Sequence, residues 1–286
     1  MSNFKRMSDC EYTIECNPSD ITEDFLDDIV QAGINRVSIG VESFDKNNLK
    51  FMDRNIDFKD LSNKISMLRQ RGISNINLDL MYAIPGEKMS TLKKDLSLLL
   101  KLEPTHISTY SLIIEEHTRL SNDNVKYISP DEDRKMYDFI CTYLKKHGYN
   151  HYEVSNFAKE GYESKHNLTY WLNEEYYGFG LGASGYKGGV RYTNTKNLSE
   201  YINHKYRKEE LLLSYKDQTD NELMLGFRLL KGINLDDFYD KFNANIQELY
   251  PVEDLIKQKY LIYKNGYLYI NPEYIYTMNE ILTKLI

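Results

Sequence analysis

The chain has 286 residues, 41% of them hydrophobic and 28% charged, with a formal net charge of −7. That length supports one large or two ordinary domains with real cores, and the acidic balance excludes a nonspecific grip on nucleic acid, which needs a basic surface. No run approaches the ~20 apolar residues of a membrane span and MSNFKRMSDC holds no signal-peptide core, so a cytoplasmic location is expected.

Three cysteines, Cys10, Cys16 and Cys141, suit a reduced compartment. If Cys10 and Cys16 lie on one extended strand at ~3.3 Å per residue they stand roughly 20 Å apart, too far to share an ion. From residue 11 to 158 short β-branched runs alternate with amphipathic ones. EYTIEC (11–16), RVSIGVES (36–43), NINLDLMY (75–82), HISTYSLII (106–114) and YEVSNFA (152–158) read as strands. ITEDFLDDIVQAG, FKDLSNKISMLRQRG, MSTLKKDLSLLLKLEP and DEDRKMYDFICTYLKKHG read as helices, three closed by Gly33, Gly72 and Gly148 and one stopped at Pro104. This order means a parallel sheet, barrel or doubly wound.

Strand composition favours a barrel with a wet interior. Sheets covered on both faces have almost wholly apolar strands, whereas here every second residue is polar or small: Thr13, Glu15, Ser38, Gly40, Glu42, Asn77, Asp79, Ser108 and Tyr110. The opposite parity, Ile14, Val37, Ile39, Val41, Ile76, Leu78, Leu80 and Ile107, is apolar and suits packing on helices. Glu15, Glu42 and Asp79 each fall near the carboxyl end of a strand and precede a loop signal, the end of a β/α barrel that carries ligand sites. Solvated strand ends are the alternative.

The run HNLTYWLNEEYYGFGLGASGY (166–186) packs one histidine, the only tryptophan, four tyrosines and four glycines into 21 residues. Such a run either holds a metal or flat ring, with glycines allowing close approach, or is a packed aromatic corner ending in a turn. After about Tyr201 the alternation stops. Asp220–Gly232, Asn234–Phe242 and Ile246–Lys259 read as helices, and LIYKNGYLYI as a hairpin turning at Asn265-Gly266, a winged-helix-like pattern.

The runs EYTIECNP, NRVSIGVESFD, NINLDLMYAIPG, HISTYSLIIE, YEVSNFA, HNLTYW, YYGFGLGASGY and GFRLLKGI, in this order and nearly end to end, resemble the radical S-adenosylmethionine (SAM) proteins of the oxygen-independent coproporphyrinogen III oxidase group, and within it the HemW haem-chaperone branch. The resemblance implies an α/β fold: an incomplete (β/α) radical-SAM-type partial barrel over residues 1–205 and a small helical, winged-helix-like C-terminal domain over 206–286. It also implies that Glu15, Glu42, Arg54, Asp79, Ile113 and Ser184 line a SAM site. Carboxylates accept from ribose hydroxyls and an ammonium, and a guanidinium pairs with the methionyl carboxylate. Two departures stand out. The family usually carries glutamine where this chain has Glu42, and its CxxxCxxC loop, which holds a [4Fe-4S] cluster, has no counterpart here, the chain starting at what would be the third strand. Without the cluster no SAM cleavage is expected from this chain.

HNLTYW matches the branch's HNxxYW motif, which implies haem as ligand: His166 is the candidate axial ligand to iron, Tyr170 and Trp171 a platform, and residues 178–185 a close-approach loop at the SAM end. His106, His117, His147, His151 and His204 lack an adjacent aromatic platform with a glycine-rich continuation. The expected function is a haem-binding chaperone with a haem-acceptor protein as partner. The alternatives are an oxygen-independent coproporphyrinogen III oxidase (dehydrogenase) of porphyrin biosynthesis, a catalytically inactive binding remnant, and an unrelated barrel hydrolase using Glu15 and Asp79, which explains neither HNLTYW nor the glycines.

Overall fold

The computed structural model describes residues 7–114 and 125–286; His117 lies outside them. The chain divides into two compact units, Met1–Glu163 and Ser164–Ile286, so that position 205 falls within the second.

The first unit runs β1 (Thr13–Cys16), α1 (Glu23–Ala32), β2 (Arg36–Glu42), α2 (Lys46–Phe51), α3 (Phe58–Gln70), β3 (Asn75–Tyr82), α4 (Met89–Lys101), β4 (His106–Ser111), α5 (Pro130–Lys146), β5 (Asn150–Glu153) and β6 (Asn156–Ala158). Three of its helices start where side chains satisfy the first backbone donors: Thr22 accepts from Phe25 N, Asp57 from Asp60 N, and Ser129 from Glu132 N with Pro130 at the first helical position. The strands form one open sheet in the order β1-β2-β3-β4-β6-β5, parallel through β4 and antiparallel at the last two. The apolar parity is buried throughout β2–β4, with Val37, Ile39, Val41, Ile76, Leu78, Leu80 and Ile107 all at 0% exposure. Leu26, Leu61, Leu68, Leu92 and Leu99 of the helices are equally inaccessible; each such side chain contributes about 2 kcal/mol.

One strand expectation is corrected. YEVSNFA is a tight antiparallel hairpin, β5 and β6, because Glu153 turns back, accepting from Ser155 N at 3.2 Å and from Asn156 Nδ2. β1 also begins only at Thr13, so Cys10 lies before the strand.

The second unit comprises α6 (Lys165–Trp171), β7 (Ser184–Lys187), β8 (Val190–Asn194), α7 (Leu198–Ile202), β9 (Arg207–Leu212), α8 (Tyr215–Gly226), β10 (Ile233–Asn234), α9 (Leu235–Phe242), α10 (Ile246–Leu249), α11 (Val252–Lys257), β11 (Leu261–Lys264), β12 (Tyr267–Ile270) and α12 (Met278–Leu282). The antiparallel sheet β7-β8-β9 has no counterpart in the sequence reading. The other sheet, β10-β12-β11, is the expected wing, its turn set by Asn265 and Gly266 at φ 54° and 80°. The helix expected over 220–232 starts earlier, at Tyr215, because Ser214 and Asp217 form a capping box. The helix expected over 246–259 is two short ones parted at Tyr250-Pro251, since proline has no N–H for a helix interior.

Candidate functional site

Register stacks the polar parity of the first unit into rows. Glu15, Ser38, Asn77 and His106 are successive partners across four strands, and Gly40, Asp79, Ser108 and Asn156 form the next row toward the carboxyl ends. Asn77 ties the rows together. Its Nδ2 donates to Ser38 Oγ and Asp79 Oδ1, both at 2.7 Å, while its Oδ1 accepts from Ser108 Oγ at 3.1 Å and lies 2.6 Å from His106 Nδ1. With Oδ1 as acceptor, His106 carries its proton on Nδ1, and Nε2 accepts from the Tyr152 hydroxyl at 2.8 Å. Burial holds this imidazole neutral, its pKa lowered to about 3.

Glu42 sits on strained backbone. Its φ is 65°, and Ser43 N–H donates back across it to Val41 O at 2.8 Å, a γ-turn of the rare positive-φ kind, where the β2–β3 register also shifts. The turn folds the carboxylate back over Gly40, whose absent Cβ would lie 3.1 Å from Glu42 Oε1, and Gly40 is the register partner of Asp79. Burial and then the Asp79 charge push the Glu42 carboxyl up to about 7, against a smaller opposing pull from Arg54. Asp79 is also raised, first by burial and in lesser part by Glu15, with hydrogen bonds from Asn77 and Ser108 acting the other way. The structure therefore brings Glu15, Glu42, Asp79 and Arg54 into one electrostatic group. Arg54 is exposed and donates to Asn17 Oδ1; Ile113, past the end of β4, is 72% exposed.

Beneath the turn is a cluster the sequence reading missed. Ser43 Oγ donates to the Asp95 carboxylate of α4 and accepts from Asp45 N at 3.0 Å. Asn48 Nδ2 reaches both Ser43 Oγ at 3.4 Å and Glu87 Oε1 at 3.3 Å. Burial is the main cause that pushes Glu87 up to about 7. No local signal joins Ser43 to Asp95, 52 residues on.

In the second unit, Ser164 caps α6 by accepting from Asn167 N. His166 is exposed, so a packed core histidine is ruled out, and its ring meets Tyr170 edge-on at 4.8 Å between centroids; Tyr170 in turn meets Tyr176 at 4.6 Å. Trp171 does not join this stack. On a helix, residue i+4 returns to within about 40° of residue i, whereas i+5 points about 140° away. Trp171 lies instead against the Arg228 guanidinium at 4.6 Å, and next to it Lys241 bonds both Leu172 O and Glu222 Oε1 at 2.8 Å.

Two glycines of the run serve the unit's own packing. A Cβ on Gly178 would meet Ser184 O at 2.0 Å, and one on Gly185 would meet the Tyr192 ring at 2.2 Å, so these glycines admit the chain's own backbone and ring. Ser184 faces Thr193, its Oγ 3.2 Å from Thr193 Oγ1. Of the other histidines, His151 stacks on Phe157 at 4.3 Å and is lowered by burial to about 4, and His147 Nδ1 bonds Tyr143 O at 2.7 Å. His204 Nδ1 lies 2.6 Å from the Tyr206 hydroxyl.

An open sheet, parallel over its first four strands, with carboxylates gathered toward their carboxyl ends suits a radical-SAM-type α/β fold. Residues 3–99 match the family model of the radical SAM superfamily, and residues 213–273 that of the HemN C-terminal domain. The solved structure of coproporphyrinogen III oxidase (HemN) from Escherichia coli superposes with a TM-score of 0.82 at 17% identity, over 99% of this chain and 71% of that one. The heme chaperone HemW of Lactococcus lactis is 40% identical over 260 residues, 88% of this chain and 69% of that protein, and HemW of Bacillus subtilis is 37% identical over 84% and 66%. The chain belongs to the HemW family of radical SAM proteins, and it spans about two thirds of the length of these relatives.

Membership implies SAM and a [4Fe-4S] cluster. The carboxylate group suits SAM, because burial disfavours its gathered negative charge, and a sulfonium, an ammonium and ribose hydroxyls bring further counter-charge and donors. The described cysteines do not fit the cluster. Burial is the largest cause lifting the Cys16 and Cys141 thiols to about 12, and among the described residues no three His, Cys, Asp or Glu side chains are grouped to hold a metal. Among the same residues, no helix is long and apolar enough to cross a membrane.

Proposed function

We propose that this chain is a cytoplasmic haem carrier, binding haem through His166 and passing it to an acceptor protein. The reading draws on the haem-chaperone names of its relatives and on one observation: an exposed imidazole in the first turn of α6 with the Tyr170 ring set edge-on against it. Imidazole is a strong axial ligand for haem iron, and an exposed position suits a ligand that must be handed on. Trp171, turned to Arg228, acts from behind by anchoring the carboxyl end of α6. In the first unit Glu15, Glu42, Arg54, Asp79 and Ile113 receive SAM; Ser184, in the second unit, belongs to the set that the resemblance implies. When bound, SAM supplies an alkyl sulfonium centre; the protein's own part is to hold its polar ends.

His166→Ala should abolish or shift the Soret band of the haem-loaded protein, while His147→Ala leaves it unaltered. An unchanged band and haem affinity in His166→Ala would sink the assignment.

A further inference from the structure

The sheet β7-β8-β9 has two faces, and Ser184 and the His166 stack share one of them. Side chains alternate along a strand and register partners point the same way. Ser184 and Tyr186 therefore share a face with Thr193 and Arg191, and the Tyr176–Tyr186 bridge carries the His166–Tyr170–Tyr176 stack onto that face. Tyr192 and Asn194 point the other way, and there the sheet carries a cleft of about 420 Å³, also lined by Tyr177, Phe179, Tyr206 and Arg207.

The lining is chemically one-sided. Tyr177 and Phe179 stack at 5.9 Å and remain 57% and 71% exposed, an aromatic surface left facing solvent. In the same cleft the Arg207 guanidinium carbon lies over the Tyr192 ring, 3.4 Å from its centroid. Arg207 Nη1 donates to Asn194 Oδ1, and its Nε lies 3.2 Å from Glu210 Oε1. Asn194 is 3% exposed and anchored in turn, its Nδ2 donating to Gly180 O at 2.8 Å. Stacking and hydrogen bonds thus fix a cation among aromatic faces before any ligand arrives, which lowers the ordering cost of binding.

We propose that this cleft is a second ligand site, for a planar conjugated ring bearing a carboxylate: the ring lies against Tyr177 and Phe179, and the carboxylate pairs with Arg207. Choosing a porphyrin dicarboxylate as that ring rests on the haem reading above. A ring of that size exceeds the cleft and would enter by its carboxylate edge, without iron ligation.

The test uses metal-free protoporphyrin IX, which offers no iron to His166, titrated into the chain and followed by porphyrin fluorescence. Saturable one-to-one binding is expected, weakened tenfold or more in Arg207→Gln and in the exposed double variant Tyr177→Ser/Phe179→Ser, and unchanged in His166→Ala. The double variant keeps the test decisive should Arg207→Gln disturb folding, which circular dichroism reports. No binding by the unmodified chain, equal binding in all variants, or loss in His166→Ala alone would overturn the proposal. The haem reading is judged separately, by the Soret band of His166→Ala.

Discussion

The two units present their polar chemistry in opposite ways. In the first, the polar parity of a parallel sheet is turned inward and interlocked: Asn77 and His106 are 2% and 0% exposed, and each member of the network holds the next. In the second, His166, Tyr177 and Phe179 stand on the surface, fixed by ring contacts and a helix cap rather than by burial. Buried networks hold a geometry because breaking one leaves desolvated groups unpaired, whereas exposed groups are cheap to change and suited to exchange.

The largest expected effect sharpens this contrast directly. Asn77→Leu removes the partners of Ser38, Asp79, Ser108 and His106 at once and should lower stability by about 3 kcal/mol. His166→Ala, at an exposed site, should change it by less than about 0.5 kcal/mol. Urea unfolding of both variants at neutral pH measures the gap, and a reversed ranking breaks the comparison.

A smaller effect concerns SAM. In a form extended to the full length of its relatives, Asp79→Ala should weaken SAM binding about tenfold, since it deletes the acid that Asn77 Nδ2 holds in place at 2.7 Å. Glu42→Gln should keep or strengthen binding, because it removes one of three grouped negative charges. Calorimetric titration returning the opposite order would take Glu42 out of the site.

Glu42 and Glu87 also give the first unit a pH signature. Both carboxyls are raised from 4.5 to about 7, so between those values the folded chain binds more protons than the unfolded one. Stability from this source is present below about pH 4.5 and is lost as pH rises through 7. Glu42→Gln should therefore flatten the fall, gaining roughly 1 kcal/mol at pH 8 and nearly nothing at pH 4.5. A thermal-unfolding series across pH 4.5–8.5 with an unchanged slope would show that Glu42 titrates normally. The smallest expected signal is none: supplied anaerobically with iron and sulfide, Cys10, Cys16 and Cys141 should build no [4Fe-4S] cluster. A stoichiometric reducible cluster in electron paramagnetic resonance would contradict that.

How much of each region was legible follows from the same contrast. Period-two alternation in β1 and β3 was enough to put Glu15 and Asp79 on one face, because a strand's geometry assigns each side chain to a side without reference to anything distant, whereas Glu42 joins them through its positive-φ turn and the register shift beside it. The wing's turn was equally legible, since Asn265-Gly266 encodes its own backbone conformation. HNLTYW was visible as a run of chemistry-bearing residues, but its division was not. Once the segment is helical, His166 and Tyr170 stand together and Trp171 is carried round to Arg228.

Local pattern thus determined the alternating strands and helices of the first unit, its polar face, and Glu15 and Asp79 upon it, because periodicity and capping act over a few residues. Tertiary structure alone decided that YEVSNFA folds back as a hairpin, that Ser43 reaches Asp95 under a strained Glu42, and that Gly178 and Gly185 are glycines to let Ser184 and Tyr192 pass. It also decided that Tyr177, Phe179 and Arg207 share a cleft on the sheet face opposite Ser184. Each of these depends on residues brought together by chain packing, and close approach, desolvation and register between strands leave no periodic trace in the order of residues.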